Sequence, residues 1–282
     1  MAEDAHKVWK LEFITHHDAA AEAALDAFGA TTYSTERTHD APDAPWRFGI
    51  YFDGKPDLTD LVLPADAQAD LAELPARDWV AESQTNLPPV RVRPFYLHGS
   101  HDRPLRGGWR PIEMQAGQAF GSGHHGTTQG CLSLFASLLK HKHPCRVADI
   151  GCGSGTLAIA AAKAGCASVL ASDNDAVAIA VARDNIRLNG VAPAITSFVA
   201  TGMQHRSYHG QQVDLIFANI IARPLIALAT NFEKHLAKDG RLIISGLMNE
   251  QARKVSARYR ACGLHIERRK IIGQWTSLCL KR

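Results

Sequence analysis

From residue 146 to the end of the chain, short apolar runs alternate with longer stretches that have apolar residues at helical spacing. The runs lie at 146–150, 169–172, 195–199, 214–218 and 240–246, and the helical stretches lie at 157–164, 176–188, 224–236 and 250–262. This repetition predicts an α/β fold with a parallel, doubly wound, Rossmann-like sheet that is covered by helices on both faces. Two last strands, 265–272 and 275–280, predict a C-terminal antiparallel hairpin.

The first ninety residues have a different pattern, which is typical of a small α+β unit. It predicts strands and helices in the approximate order β-α-β-β-α-β, an order found in ferredoxin-like sandwiches. The predicted strands lie at 8–15, at 46–52 and near Trp79 and Val80, and the predicted helices lie at 18–28 and 65–74. We therefore expect a ferredoxin-like domain to precede the α/β domain.

A segment rich in proline and glycine separates these two patterns. Five prolines and three glycines lie between Leu87 and Pro111, and this density interrupts helices. The segment includes one predicted extended piece, at 90–97. The expected division of the chain is an α+β domain at 1–86, a linker at 87–111 and an α/β domain at 112–282.

The net charge changes sign in the same region. The whole chain has 31 Lys and Arg and 28 Asp and Glu, a formal net charge of +3, which excludes a strongly basic protein that wraps nucleic acid. Residues 1–90 hold 6 basic and 17 acidic side chains, and residues 91–282 hold 25 and 11. A charge asymmetry of this kind usually follows a domain boundary.

Several other classes of protein are disfavoured by the sequence. No apolar run approaches the ~18 residues of a membrane span, so we expect no membrane contact. The acidic N-terminus lacks the profile of a secretory signal or a transit peptide, so we expect a cytoplasmic protein. No C-x-x-C pair occurs, so no zinc ribbon or redox dithiol is indicated and we expect no metal. The six thiols are expected to be buried apolar groups: Cys131, Cys145, Cys152, Cys166, Cys262 and Cys279.

A glycine-rich turn follows the first predicted strand of the α/β domain. It runs Asp149-Ile-Gly-Cys-Gly-Ser-Gly-Thr156, at the strand-to-helix position where open α/β sheets bind ligands. Gly151 and Gly153 allow backbone N–H groups to approach a ligand closely. A dinucleotide fingerprint would have glycine where Thr156 stands, so a nucleoside without phosphates is the favoured ligand. A tight strand–helix connection without a ligand is the alternative.

An acidic residue, Asp173, ends the next predicted strand. It follows the turn at the spacing at which a carboxylate accepts hydrogen bonds from the ribose hydroxyls of a bound nucleoside. Asp175, two residues later, is expected to cap the helix that begins at Ala176. Capping is also the alternative role for Asp173.

An amide, Asn219, ends another apolar strand at the same edge of the predicted sheet. Its side-chain oxygen and the carbonyl of Ile220 can each accept a hydrogen bond from a substrate amine. This arrangement suits methyl transfer to nitrogen, in which a neutral amine must direct its lone pair at a sulfonium methyl group. The alternative is that Asn219 only caps the helix near Pro224.

These three elements resemble the seven-stranded class of S-adenosylmethionine-dependent methyltransferases, and a further segment resembles one family of that class. Residues 118–132, Q-A-F-G-S-G-H-H-G-T-T-Q-G-C-L, are similar to the A-F-G-T-G-x-H-x-T-T-x-x-C-L block of the PrmA family of ribosomal-protein methyltransferases. The resemblance continues to the C-terminus through separate blocks in the same order, at 149–155, 218–225, 245–251 and Trp275.

The resemblance implies an S-adenosylmethionine site in which Thr128, Gly151, Asp173 and Asn219 contact the cofactor, with Phe120 and Thr127 nearby. S-Adenosylhomocysteine would be the product. The implied acceptors are lysine side-chain amines and an N-terminal amine of protein eleven of the large ribosomal subunit, which the N-terminal domain would present. The chain departs from the family block where the family has Thr, Thr and Pro: Ser122, His124 and Gly126.

Several partners and alternatives stay open at this point. A cluster of cations around 268–270 predicts either contact with ribosomal RNA or a solvated face, and we expect a monomer. A base methyltransferase would need an aromatic residue after Asn219 to stack a flipped base, and the chain has Ile220 and Ile221 there. The alternatives are a lysine methyltransferase with another protein substrate, an RNA base methyltransferase, and an oxidoreductase or non-catalytic nucleotide-binding module.

Overall fold

A computed structural model describes most of the chain in two compact units, 1–79 and 80–282. The residues it describes are 8–28, 33–38, 43–53, 55–59, 61–74, 89–100, 102, 105, 107–114 and 126–282. No helix among these residues is both long enough and apolar enough to cross a membrane.

Among its described residues, the first unit contains one helix and a four-stranded antiparallel sheet with the strand order β2-β3-β1-β4. Its core lies between the helix and one face of the sheet, where Phe13 and Phe48 stack with ring centroids 4.9 Å apart. Three of the elements confirm the predicted bounds within one residue. The elements are β1 (Val8–Thr15), α1 (Asp18–Phe28), β2 (Tyr33–Arg37), β3 (Trp46–Asp53) and β4 (Gln68–Leu74).

The helix predicted at 65–74 is wrong, because residues 68–74 form strand β4. β4 pairs with β1 along its whole length, and Leu71 lies opposite Leu11. Alanine, glutamine, glutamate and leucine favour helices, but a free edge of a sheet with an apolar face overrides this weak preference. The strand expected near Trp79 and Val80 lies outside the described residues.

The first described strands of the second unit form a small three-stranded sheet, where the sequence predicted a single extended piece. Its strands are β5 (Val90–Val92), β6 (Phe95–His98) and β7 (Arg110–Glu113), with β6 in the centre. The turn at Arg93 and Pro94 divides the predicted piece into two strands that pair with each other. Phe95, Leu97 and Ile112 are buried in the same core as the helices that follow.

The main sheet has seven strands in the order β10-β9-β8-β11-β12-β14-β13. The first five run parallel, and the last two form the predicted antiparallel hairpin. The strands are β8 (Arg146–Ile150), β9 (Ser168–Asp173), β10 (Ile195–Val199), β11 (Val213–Asn219), β12 (Leu236–Met248), β13 (His265–Ile272) and β14 (Trp275–Lys281). The helices are α2 (Gly126–Leu138), α3 (Thr156–Lys163), α4 (Ala176–Leu188), α5 (Ala222–His235) and α6 (Ala252–Ala261).

Two apolar layers cover the two faces of this sheet. Helices α2, α3 and α4 pack on one face, and α5 and α6 pack on the other. The α/β prediction with a mostly parallel sheet is confirmed. The order of the strands reverses between β8 and β11, and such a point is where open α/β sheets form a ligand-binding crevice outside the carboxyl ends of their strands.

Candidate functional site

The glycine-rich turn leads from β8 into α3 at this crevice. Gly151 has a φ of +69°, and a Cβ at this position would lie 2.3 Å from Cγ2 of Ile220. Gly153 also has a positive φ, of 52°. A side chain at 151 would therefore collide with the side chain of Ile220, and the positive φ is itself unfavourable for any residue other than glycine.

Asp173 joins the turn to the end of β9. Its Oδ2 accepts a hydrogen bond from the backbone N–H of Gly153 at 2.9 Å, and its Oδ1 accepts one from the N–H of Asp175 at 3.1 Å. A carboxylate oxygen can accept more than one hydrogen bond, so both oxygens keep capacity for a ligand. The predicted cap at Asp175 is confirmed, since its side chain accepts from the N–H of Val177 at 2.8 Å.

Asp149 is a buried carboxyl at this site and is not among the site residues predicted from the sequence. Its Oδ2 accepts a hydrogen bond from the N–H of Ala158 at 2.9 Å, and its Oδ1 is buried with no partner in the described part of the chain. Burial, together with the nearby charge of Asp173, raises the pKa of this carboxyl to about 7. The signal in the sequence was an acidic residue near the end of a buried strand and directly before the glycine turn.

Asp149 makes the stability of the protein depend on pH. The folded chain holds the proton of this carboxyl more tightly than the unfolded chain, so its contribution is complete below pH 3.8 and is lost as the pH rises through about 7. The shift corresponds to roughly 4 kcal/mol at most. In urea unfolding, we expect wild type to lose more stability than Asp149→Asn between about pH 5 and about pH 8. Equal losses in the two proteins would contradict this assignment.

Asn219, at the end of β11, meets Thr128 in the first turn of α2. The side-chain Nδ2 of Asn219 donates to Oγ1 of Thr128 at 3.4 Å, and its Oδ1 is buried without a partner among the described residues. Because Nδ2 is engaged, the amide presents its oxygen, an acceptor, as its unused group. The helix-cap alternative is wrong, since the cap residue of α5 is Ile221 and no side chain makes a capping hydrogen bond there.

The carbonyl of Ile220 lies against Gly246, at the carboxyl edge of β12. A Cβ at position 246, which has a φ of +83°, would lie 2.3 Å from this carbonyl oxygen. Only glycine at 246 therefore lets β12 approach the backbone of Ile220 this closely. This carbonyl, which the sequence predicts as a second acceptor, belongs to the residue that directly follows Asn219.

Some of the remaining predicted site residues lie in the described part of the chain and others lie outside it. Thr127 and Thr128 are buried in the first turn of α2. Phe120, Ser122, His124 and His125 lie outside the described residues. Gly126, a departure from the family block, is the first residue of α2, and a Cβ there would lie 3.3 Å from the ring of Trp275.

The described residues present acceptor oxygens at one edge of the sheet. The buried oxygens Oδ1 of Asp149 and Oδ1 of Asn219 have no partner in the described ranges of the chain. Asp173 lies between these two residues in the sequence, at the end of the strand that pairs with β8. Unpaired buried acceptors are costly unless a ligand supplies donors. The site therefore fits a ligand that carries positive charge and several N–H or O–H groups. The part of the chain that the structure describes contains no group of three His, Cys, Asp or Glu side chains arranged for a metal ion.

A family model, curated relatives and one solved structure indicate the same family. The family model described as "Ribosomal protein L11 methyltransferase (PrmA)" matches residues 56–282. A ribosomal protein L11 methyltransferase of Rhodopseudomonas palustris (strain BisB5) is 40% identical over 286 residues, 97% of each chain. One of Bradyrhizobium diazoefficiens is 39% identical over 287 residues, with the same coverage. The crystal structure of a ribosomal protein L11 methylase from Lactobacillus delbrueckii subsp. bulgaricus covers 69% of this chain and 98% of its own, with a TM-score of 0.62 and 31% identity.

Proposed function

Since this chain belongs to the ribosomal protein L11 methyltransferase (PrmA) family, we propose that it transfers methyl groups from S-adenosylmethionine to lysine side-chain amines or the N-terminal amine of ribosomal protein L11. The observation that carries the proposal is the buried Oδ1 of Asn219 at the carboxyl edge of the sheet, which has no hydrogen-bond partner among the described residues. An acceptor at this position suits an incoming amine. When bound, the cofactor supplies an electrophilic methyl group on a sulfonium.

We propose that three groups hold the cofactor. Asp173 accepts hydrogen bonds from the ribose hydroxyls, and the turn at Gly151 and Gly153 provides a surface without side chains against the nucleoside. Asp149 accepts from the cofactor's ammonium group through its unpartnered oxygen. A cation at this point favours the ionised form of Asp149, so the cofactor and the carboxyl stabilise each other.

Asn219 orients the substrate amine in this proposal. A lysine ammonium, with a pKa of about 10.4, must release a proton to water before it becomes a nucleophile, at a cost of roughly 4 kcal/mol at neutral pH. Desolvation beside a sulfonium offsets part of this cost. Oδ1 of Asn219 and the carbonyl of Ile220 then accept the two remaining N–H groups, so that the lone pair is directed at the methyl group.

The proposal is tested by incubating the purified protein with labelled S-adenosylmethionine and separated ribosomal components. We expect label in ribosomal protein L11, at amine positions that mass spectrometry of the digested protein identifies. Label in a different protein would favour the alternative of another lysine substrate, and label only in RNA would favour a base methyltransferase. Response to a nicotinamide cofactor with no label transfer would support the oxidoreductase alternative.

We propose that the N-terminal unit is a ferredoxin-like domain that recognises the basic substrate protein. Its strand order, β2-β3-β1-β4, and its antiparallel pairing support this architecture. Exposed carboxylates such as Asp18 on α1 and Asp70 on β4 support an acidic docking surface. Raising the salt concentration is expected to increase the KM for the protein substrate. A KM that is independent of salt would exclude electrostatic docking.

We also propose that the α/β unit contacts ribosomal RNA through a cationic groove. Lys142, Arg241 and Arg268 line a cavity of about 340 Å³ between the end of α2 and the C-terminal hairpin. Arg241 is paired with Glu267, whereas Lys142 bonds a backbone carbonyl and Arg268 bonds the hydroxyl of Ser137. Filter binding of an rRNA fragment should weaken in a Lys142→Ala/Arg268→Ala double variant, and unchanged retention would exclude this contact.

The remaining expectations stay proposals. We propose a functional division into a substrate-recognition domain at 1–86, a linker at 87–111 and a methyltransferase domain at 112–282. We also propose a monomer in the cytoplasm, where ribosomal proteins are synthesised. Light scattering of the purified protein tests whether it is a monomer, and cell fractionation tests whether it is in the cytoplasm.

A further inference from the structure

Helix α2 approaches strand β14 unusually closely at Gly130. A Cβ at this position would lie 2.1 Å from Oγ of Ser277 and 3.0 Å from its Cβ. Both residues are buried. The absence of a side chain at 130 therefore sets how near the helix lies to the sheet at this point.

Ser277 is held in place by a second buried hydroxyl. Its Oγ lies 2.7 Å from Oγ of Ser245, and both serines are almost fully excluded from solvent. Ser245 lies in β12 directly opposite Asn219 in β11. The serine pair thus connects the strand that faces Gly130 to the strand beside the candidate catalytic amide.

The other end of this connection is Thr128, two residues before Gly130 in the same helix. Its Oγ1 accepts the hydrogen bond from Nδ2 of Asn219. These contacts form a closed ring. The side chain of Asn219 meets Thr128, and helix α2 connects Thr128 to Gly130. Gly130 packs against Ser277, whose hydroxyl bonds Ser245, and Ser245 lies beside Asn219 in the sheet. At 3.4 Å the bond between Asn219 and Thr128 is already long, so an outward displacement of α2 breaks it.

We propose that Gly130 and Ser277 are positioning residues that set the orientation of the Asn219 amide through helix α2. Without the bond to Thr128, the amide is free to rotate and to present its NH₂ group, a donor, where the substrate amine requires an acceptor. This inference rests on the proposed role of Asn219. It adds that the spacing between α2 and β14, away from the reacting atoms, controls turnover.

The test adds a side chain to the helix at position 130 and removes the opposing side chain from the strand at position 277. Gly130→Ala inserts a methyl group against Ser277, and we expect kcat to fall about tenfold or more while the affinity for the cofactor stays near that of wild type. Ser277→Gly removes both atoms that the new methyl group would meet. The double variant Gly130→Ala/Ser277→Gly should therefore recover kcat to the level of Ser277→Gly alone.

Two further variants separate positioning from general loss of stability. Alanine is the better helix former, so a loss in Gly130→Ala reflects the collision with β14. Leu138→Ala, at the far end of α2, should lower the unfolding temperature with little change in kcat. In a Thr128→Val background, Gly130→Ala should lower kcat no further, because both act through the same bond.

The possible outcomes distinguish this inference from the proposed function. If Gly130→Ala leaves kcat unchanged, or if Ser277→Gly does not restore it, the positioning role is wrong while the role of Asn219 stands. If Asn219→Ala itself leaves kcat unchanged, the proposed function of that amide fails and the positioning role fails with it.

Discussion

Replacing Asn219 by alanine is expected to lower kcat by about a hundredfold while the Kd of S-adenosylmethionine changes by less than about threefold. The amide oxygen is the acceptor that orients the substrate amine in the proposed reaction, and it is buried with no partner in the part of the chain that the structure describes. Its removal leaves one N–H group of the amine unsatisfied when it reaches the methyl group. The binding of the cofactor depends mainly on Asp173 and the glycine turn, which this substitution leaves in place.

The measurement is single-turnover methylation of ribosomal protein L11, together with calorimetric titration of the cofactor. Thr128→Val provides a graded control, because it removes the partner of the Asn219 amide and keeps the acceptor itself. We expect its kcat to lie between those of wild type and Asn219→Ala. Equal losses of cofactor affinity and turnover in Asn219→Ala would show that the amide is mainly a cofactor contact.

The parallel sheet could be predicted from sequence because its strands are short apolar runs bounded by polar residues and glycines. The bounds of β8, β10 and α4 agree with the prediction.

Helix α2 is not predicted from the sequence, for a physical reason. Nine of its thirteen residues are buried, so its sequence lacks the polar face that marks a surface helix.

The part of the site that lies at the ends of strands could be predicted from the sequence. Asp173 and Asn219 both end parallel strands, and the carboxyl ends of such strands meet at one edge of the sheet. The contact between Asn219 and Thr128 joins residues that are 91 positions apart, and no local pattern reports it. The raised pKa of Asp149 likewise depends on burial by elements from across the chain.

Strand β4 is a segment for which the sequence predicts the wrong secondary structure. Its composition favours a helix, and only its pairing with β1 makes it a strand. The same dependence on neighbours applies to Gly130, whose small size has a meaning only beside Ser277. In both cases the role of the residues depends on contacts with residues far away in the sequence.

Asp173→Ala is expected to raise the Kd of S-adenosylmethionine about a hundredfold. Two hydrogen bonds from ribose hydroxyls to a carboxylate contribute roughly 3 kcal/mol or more together, and 1.4 kcal/mol corresponds to about tenfold in affinity. The substitution also removes the acceptor for the N–H of Gly153, which loosens the turn. S-Adenosylhomocysteine has the same ribose, so its affinity should fall by a similar factor.

Asp175→Ala is the matched control for this prediction. Asp175 is an exposed carboxylate two residues away, and its side chain caps α4. Losing the cap should cost about 1 kcal/mol of stability, with the affinity for the cofactor nearly unchanged. Because the two variants remove the same charge close to the same site, a general electrostatic effect on the cationic cofactor would weaken binding in both. A large loss in Asp173→Ala alone would assign the effect to direct hydrogen bonding, and similar losses in both would contradict the ribose role.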